Sequence, residues 1–403
     1  MILHRNKSLI CSLLIILITL LSASCAKPTR TALPGHYVDQ AEIAGMPGVR
    51  AWGDEHSDVF QEDLVLSMQQ YMATKPEGFK YDDETIDIMA FSGGGSFGAF
   101  SVGVLNGWDA AGTRPTFKLV TGISTGSLIA PFAFLGGKYD QKIGHLYTSI
   151  NTDNIMKKES LWSIATGTPY AADNAPLASM IERIIDEEML QDIAKAHSEG
   201  RRLFIGTTNL DAQRLVIWNM GAIASSGHPG ALELFRRIML ASAAMPVAFP
   251  PSMIEVEAGG SIYDEMHVDG GVSTEVFFYG DLIDLDQAHK TLNINVKPNV
   301  RIFIMRSGQL KHEYKEVDLK IFSIAGKALT ALTSAQAIGD LYRIYTITQR
   351  DEIDYNLGSV PPDYVSKAKE PFDPDDLKRL YDLGYKMAIS GYPWEKYPPF
   401  FKP

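Results

Sequence analysis

The chain has 403 residues, 45% hydrophobic and 21% charged, the make-up of an ordinary globular protein and too apolar to stay disordered. Its net charge of −11 excludes the basic footprint that nucleic-acid binding requires and gives no electrostatic reason to rest on anionic lipid. Contact with a membrane therefore needs a covalent anchor or an apolar surface.

The first residues are not part of the folded unit. Arg5 and Lys7 form a short basic stretch, Leu9 to Leu21 is almost wholly apolar, and Ser22-Ala23-Ser24-Cys25 follows. The apolar run has the length of a secretory-signal core and is short for a membrane span. Small residues before a cysteine resemble a bacterial lipobox, with one departure: Ser22 stands where a large aliphatic residue is usual. Residues 1–24 are expected to be a signal peptide. Cys25 is expected to be lipidated, which would give a membrane-anchored protein of the cell envelope; secretion or a periplasmic location is the alternative. Cys11 is the one other cysteine and would leave with the signal, so Cys25 has no disulfide partner. Without the two basic side chains of residues 1–24 the charge is near −13.

Residues 25–80 read as a linker and lead-in, punctuated by Pro28, Pro34, Gly35, Pro47 and Gly48. Within it the spacing of Val59, Leu64, Leu66, Met68 and Tyr71 predicts a helix packed on the main domain, expected over 81–395. That domain opens with a strand over Thr85–Phe91, the run Gly93-Gly94-Gly95, a helix over 97–111, a strand over 117–121, Gly122, and a helix over 127–135. Strand, glycine turn and helix, twice over, is the pattern of a parallel sheet. Further on, helices are predicted over 177–196, 232–244, 322–345 and 374–389. Strands are predicted over 203–208, 215–220, 266–268 and 301–305. Asp373 is placed to cap the last helix and Pro374 to open it. Residues 396–403 are expected to be a surface tail.

Gly122-Ile123-Ser124-Thr125-Gly126 is a G-x-S-x-G between a strand and a helix. In a nucleophile elbow the serine sits on a tight strand-to-helix turn, its flanking glycines let neighbouring chain approach, and the helix N-terminus favours developing negative charge. Gly94-Gly95-Ser96-Phe97-Gly98 fits the same pattern in the same context, so the nucleophile must be chosen. Three consecutive glycines free backbone N–H groups to point at an anion. The first turn is therefore assigned the oxyanion hole (Gly93, Gly94, Gly95), with Ser96 as a helix N-cap. The compact second turn, with Gly122 and Gly126 flanking Ser124, supplies the hydroxyl. A serine needs a base. Val268-Asp269-Gly270-Gly271 places an aspartate at a strand end with little steric obstruction, and a plain Asp-Gly turn reads equally well. His267 shares a strand face with Asp269, and His289 and His312 follow it in the chain order of an α/β-hydrolase triad. Trp162 is a candidate for a lid or acyl-chain wall, or part of the core or of a surface loop.

Four blocks in order resemble the patatin-like phospholipases: the glycine-rich loop Ser92–Gly98, the elbow Gly122–Gly126, the stretch Ala241–Pro251, and Asp269-Gly270-Gly271. The resemblance implies a three-layer α/β/α fold with a mainly parallel central sheet and a Ser124–Asp269 dyad without histidine. It also implies an acyl-enzyme, and phospholipid or other lipid esters as substrates. The family usually carries Arg or Lys just before the last glycine of its loop; here Phe97 stands there, which leaves neutral esters open as substrates. Ala241–Pro251 reads as structural support for the site. Two alternatives remain at this point: an esterase with a histidine triad, and a non-catalytic lipoprotein binding phosphate or lipid through Gly93–Gly98. The latter lacks a Walker lysine–serine pair. No cofactor and no metal are expected, there being no H-E-x-x-H and no cysteine pair.

Overall fold

Thr85–Phe91 (β2) is buried from Ile86 onward, as a strand covered on both faces must be. In the computed structural model it lies inside a nine-stranded sheet. The structure describes residues 30–402 except 80, 82, 83, 161–169, 281, 312, 313 and 315. The expected signal peptide (residues 1–24), Cys25, Trp162 and His312 lie outside the described residues.

Arg50–Trp52 (β1), Leu119–Gly122 (β3), Arg202–Asn209 (β4), Arg214–Asn219 (β5), Asn299–Arg306 (β8) and Asp354–Ser359 (β9) give the order β1-β5-β4-β3-β2-β8-β9. The pairings from β4 through β3, β2 and β8 to β9 are parallel; β5 and β1 close that edge antiparallel. Ser252–Ala258 (β6) and Ser261–Asp269 (β7) form a hairpin whose second strand pairs with the end of β4.

Side chains alternate between two cores. Ile86, Ile88 and Ala90 of β2, with Ile302 and Ile304 of β8, pack against Leu341, Ile344 and Ile347 of the long helix Ile321–Arg350 (α8). Met89, Phe91, Phe303 and Met305 face the other layer. There Gly98–Ala110 (α2) crosses Pro374–Ile389 (α9) so closely that a Cβ on Gly103 would lie 2.1 Å from Tyr381 O. The expected fold, α/β with a mainly parallel sheet between helical layers, is the one observed.

Two local differences from the expected elements are clear, and the lead-in and the tail make contacts that the sequence did not specify. The helix expected over 177–196 is two, Ala175–Ile184 and Glu187–Ser198, because Asp186 accepts from Met189 N and starts the second. The β6–β7 hairpin was not foreseen, although Ile254, Val256 and Ala258 alternate with exposed Glu255 and Glu257 before a Gly259-Gly260 turn. The lead-in contributes the edge strand β1 as well as the helix Asp58–Ala73 (α1). The tail lies against α8, where the Tyr342 hydroxyl donates to Pro399 O at 2.9 Å.

Candidate active site

The parallel strands end where the chemistry-bearing residues gather. β3 stops at Gly122, opposite Ile205 of β4. Beyond that point the edge of β4 is free, and β7 occupies it, setting Asp269 opposite Thr207. The carboxyl thus arrives beside the turn that follows β3.

That turn is tight. Ser124 stands at φ 54°, ψ −125°, a left-handed setting that costs a residue with a side chain of order 1–3 kcal/mol. A Cβ on Gly122 would lie 2.5 Å from Gly126 O, and one on Gly126 2.5 Å from Phe91 O, so both flanking positions admit only glycine. The strained turn is held by its neighbours. Ser124 N–H donates to Ser242 Oγ at 3.1 Å, Ser242 Oγ donates to Gly206 O at 2.7 Å, and Ser127 Oγ donates to Ser124 O at 2.6 Å. Asp269 N–H donates to Ala244 O at 3.0 Å. The Ala241–Pro251 stretch therefore braces both the serine and the aspartate, as its sequence suggested. The helix Thr125–Leu135 (α3) follows directly.

Asp269 is 1% exposed. Its Oδ1 accepts from Gly271 N–H at 2.8 Å, and its Oδ2 is buried without a partner. Burial pushes the carboxyl up to about 7; the nearby Ser124 hydroxyl and Gly271 N–H pull it back, and Glu275 pushes it further. The Ser124 hydroxyl is close enough to stabilise the carboxylate, yet no hydrogen bond of ordinary geometry joins the two, a common state before substrate tightens a site.

The glycine loop faces the same space. Gly94 has φ 154°, and a Cβ there would lie 1.6 Å from Ser307 O. Gly93 N–H, expected in an oxyanion hole, instead donates to Glu275 O at 3.0 Å. That narrows the free donors of the expected trio to Gly94 and Gly95. Ser96 sits in a short 3-10 turn and does not cap α2; Phe97 holds the N-cap position, without a side-chain bond.

Two residues passed over in the sequence hold this loop. Arg306, at the end of β8, donates to Gly93 O at 2.6 Å, to Ser92 Oγ at 3.1 Å and to Glu275 Oε2 at 2.8 Å. Glu275 N–H in turn donates to Asp340 Oδ2 of α8 at 2.8 Å. The cation missing at Phe97 is thus present beneath the loop, carried by another strand and paired with a buried carboxylate.

The histidines are elsewhere. His267 is fully buried, with Nδ1 at 2.9 Å from Thr207 Oγ1 and Nε2 at 3.0 Å from Glu265 Oε2, which Arg50 also holds. Burial lowers its pKa, so it is a neutral structural ring. His289 lines a separate cavity of about 100 Å3 beside Lys118 and Tyr81. Among the described residues, no histidine lines the cavity over Ser124.

That cavity measures about 760 Å3 and is lined by Ser124, Asp269, Gly94, Gly95, Ser96 and Arg306 at its floor. Leu128, Leu146, Leu177, Met180 and Phe249 make an apolar wall, and Gln309, Lys311, Lys327, Thr330 and Ser334 a polar one. Among the described residues, no group of three or more His, Cys, Asp or Glu is placed to hold a metal ion.

The two glycine-serine turns and Asp269 lie within a stretch that matches a known family. Residues 89–279 match the family of patatin-like phospholipases. No match is found among curated proteins. Among solved structures, VipD from Legionella pneumophila aligns at 12% identity and TM-score 0.34, over 75% of this chain and 67% of that one. Human GIVD cytosolic phospholipase A2 aligns at 10% identity and TM-score 0.35, over 85% of this chain and 64%, less than two thirds, of that one.

Proposed function

We propose that the chain is a serine hydrolase of lipid carboxylic esters, working through Ser124 and Asp269 without a histidine. The observation that carries this reading is a serine on a strained strand-to-helix turn beside a buried carboxyl whose Oδ2 has no other partner. The family match over residues 89–279 and the apolar wall of the cavity support a lipid ester as substrate.

In the proposed reaction Ser124 Oγ attacks the ester carbonyl carbon while its proton passes to Asp269 Oδ2. The N–H groups of Gly94 and Gly95 donate to the oxyanion. As the tetrahedral intermediate collapses, the C–O bond to the alcohol breaks and Asp269 returns the proton to the leaving oxygen. Water then attacks the acyl-enzyme, gives a proton to Asp269, and Ser124 departs with that proton, releasing the carboxylic acid. A carboxyl near pH 7 suits this duty, since it both accepts and returns a proton at neutral pH.

The test compares wild type, Ser124→Ala, Ser96→Ala and Asp269→Asn on a chromogenic short-chain ester and on phospholipid vesicles. Ser124→Ala should lose about 10⁴-fold or more and Asp269→Asn about 10³-fold, with Ser96→Ala retaining appreciable activity. Turnover surviving in Ser124→Ala would overturn the reading. A cell-envelope location, anchored through lipidated Cys25, is proposed separately, on the strength of the sequence from Arg5 to Cys25. Incorporation of labelled fatty acid, abolished in Cys25→Ser, tests that part.

A further inference from the structure

The first half of α8 has no buried residue among those described from Ile321 to Leu332. Leu319, Ile321, Ile324 and Leu332 are 97, 79, 50 and 68% exposed. Ile321, Ile324, exposed Ala328 and Leu332 recur at spacings that bring them to one stripe of the helix. That stripe lies across the helix from Thr333, Ala337 and Asp340, which are buried against the body, so it points outward. A third face, with Lys327, Thr330, Ala331 and Ser334, lines the cavity over Ser124. An apolar stripe thus runs along the rim of the candidate active site, covered by nothing among the described residues.

Its charge is also unlike the rest. From Leu319 to Gly339 there are two lysines and no acidic residue, in a chain of net charge −11; Lys320 reaches the exposed Asp318 just before that stretch at 3.3 Å. Exposed Lys311 lines the same cavity. Apolar side chains flanked by ammonium groups fit acyl chains lying beneath phosphates. Among the described residues, no helix is long and apolar enough to cross a membrane, so the stripe would lie in the interface.

We propose that the first half of α8 rests on a phospholipid bilayer, with Leu319, Ile321, Ile324 and Leu332 among the acyl chains and Lys320 and Lys327 at the phosphates. The cavity mouth then opens onto lipid, and a substrate acyl chain reaches the apolar wall without crossing water. This rests on the lipid-ester reading above and adds where the protein meets its substrate.

The test places an environment-sensitive fluorophore on Ile324→Cys in the full chain carrying Cys11→Ser and Cys25→Ser, so that neither the native cysteines nor an attached lipid contributes. On vesicles of phosphatidylethanolamine and phosphatidylglycerol the emission should shift to the blue and be quenched by spin-labelled lipid. The same label on Glu62→Cys, on the exposed side of α1, should not respond. In the unlabelled protein, Ile321→Ser with Ile324→Ser should keep turnover of a soluble short-chain ester within about twofold and lose about tenfold on vesicles. A label at 324 blind to vesicles that the enzyme nevertheless hydrolyses would overturn the proposal. So would a label that shifts with protein concentration alone as the chain dimerises, because a second copy would then cover the stripe. A label that responds in a chain with no esterase activity would uphold the docking and defeat the hydrolase reading, so the two fail separately.

Discussion

The two glycine-serine turns, 94–98 and 122–126, read alike and fold differently. Each follows a buried parallel strand and opens a helix. At the second, the serine itself takes the left-handed conformation, braced through its N–H by Ser242 and faced by Asp269. At the first, the glycines take the unusual conformations, Gly94 at φ 154° and Gly95 at φ 57°, and Ser96 lies in a 3-10 turn. Strain falls on the proposed nucleophile itself in one turn and on the backbone of the proposed oxyanion donors in the other. Pattern matching alone does not see this division; what surrounds each turn sets it.

The largest effect that sharpens the contrast concerns the partner that the first turn lacks. Asp269 holds its proton up to about 7, against 3.8 for a free carboxyl. Between about pH 4 and 7 the folded state keeps a proton that the unfolded state has released, so stability from this group falls as pH rises and stays low above 7. Asp269→Asn removes that penalty, by up to ~4 kcal/mol at pH 8. Its melting temperature should exceed wild type above pH 7 and converge with it near pH 4, while activity is lost. In wild type, kcat/KM should rise with pH through about 7 as the base deprotonates.

Next comes the donor turn. Gly94→Ala places a Cβ against Ser307 O and must displace the loop. Loss of one oxyanion donor lowers kcat by about 10²-fold or more, with the KM for a short ester little changed. At Gly95 a Cβ meets open space and the cost is the left-handed φ of 57° alone, so Gly95→Ala should lose less than Gly94→Ala. Equal losses would mean that the loop conformation is not what matters.

The smallest effect tests the bracing of the elbow. Ser242→Ala leaves Ser124 N–H and Gly206 O without their shared partner. Thermal unfolding should show a loss of about 1–3 kcal/mol. A stability equal to wild type would mean that the turn holds itself.

Much of this was legible in the sequence because it is local. Strand, glycine turn and helix are neighbours in the chain, and so are Asp269, Gly270 and Gly271. The helix Pro374–Ile389 appears with the bounds that its capping residues announce. What was not legible depends on long-range pairing. Arg306 meets Gly93 across 213 residues and Ser242 meets Ser124 across 118, and no spacing rule reaches so far. Gly93 was grouped with Gly94 and Gly95 on composition, whereas the carbonyl of Glu275 decides which N–H groups stay free. The β6–β7 hairpin differs, for its alternation and Gly-Gly turn were present to be read.

Whether Ser124 is the nucleophile can be read directly from covalent labelling. The protein would be treated with a fluorophosphonate, which reacts with activated serines, and the adduct located by mass spectrometry of its peptides. One adduct is expected, on Ser124, absent from Ser124→Ala and much reduced in Asp269→Asn. An adduct on Ser96, or none on a folded protein that still turns over esters, would contradict it.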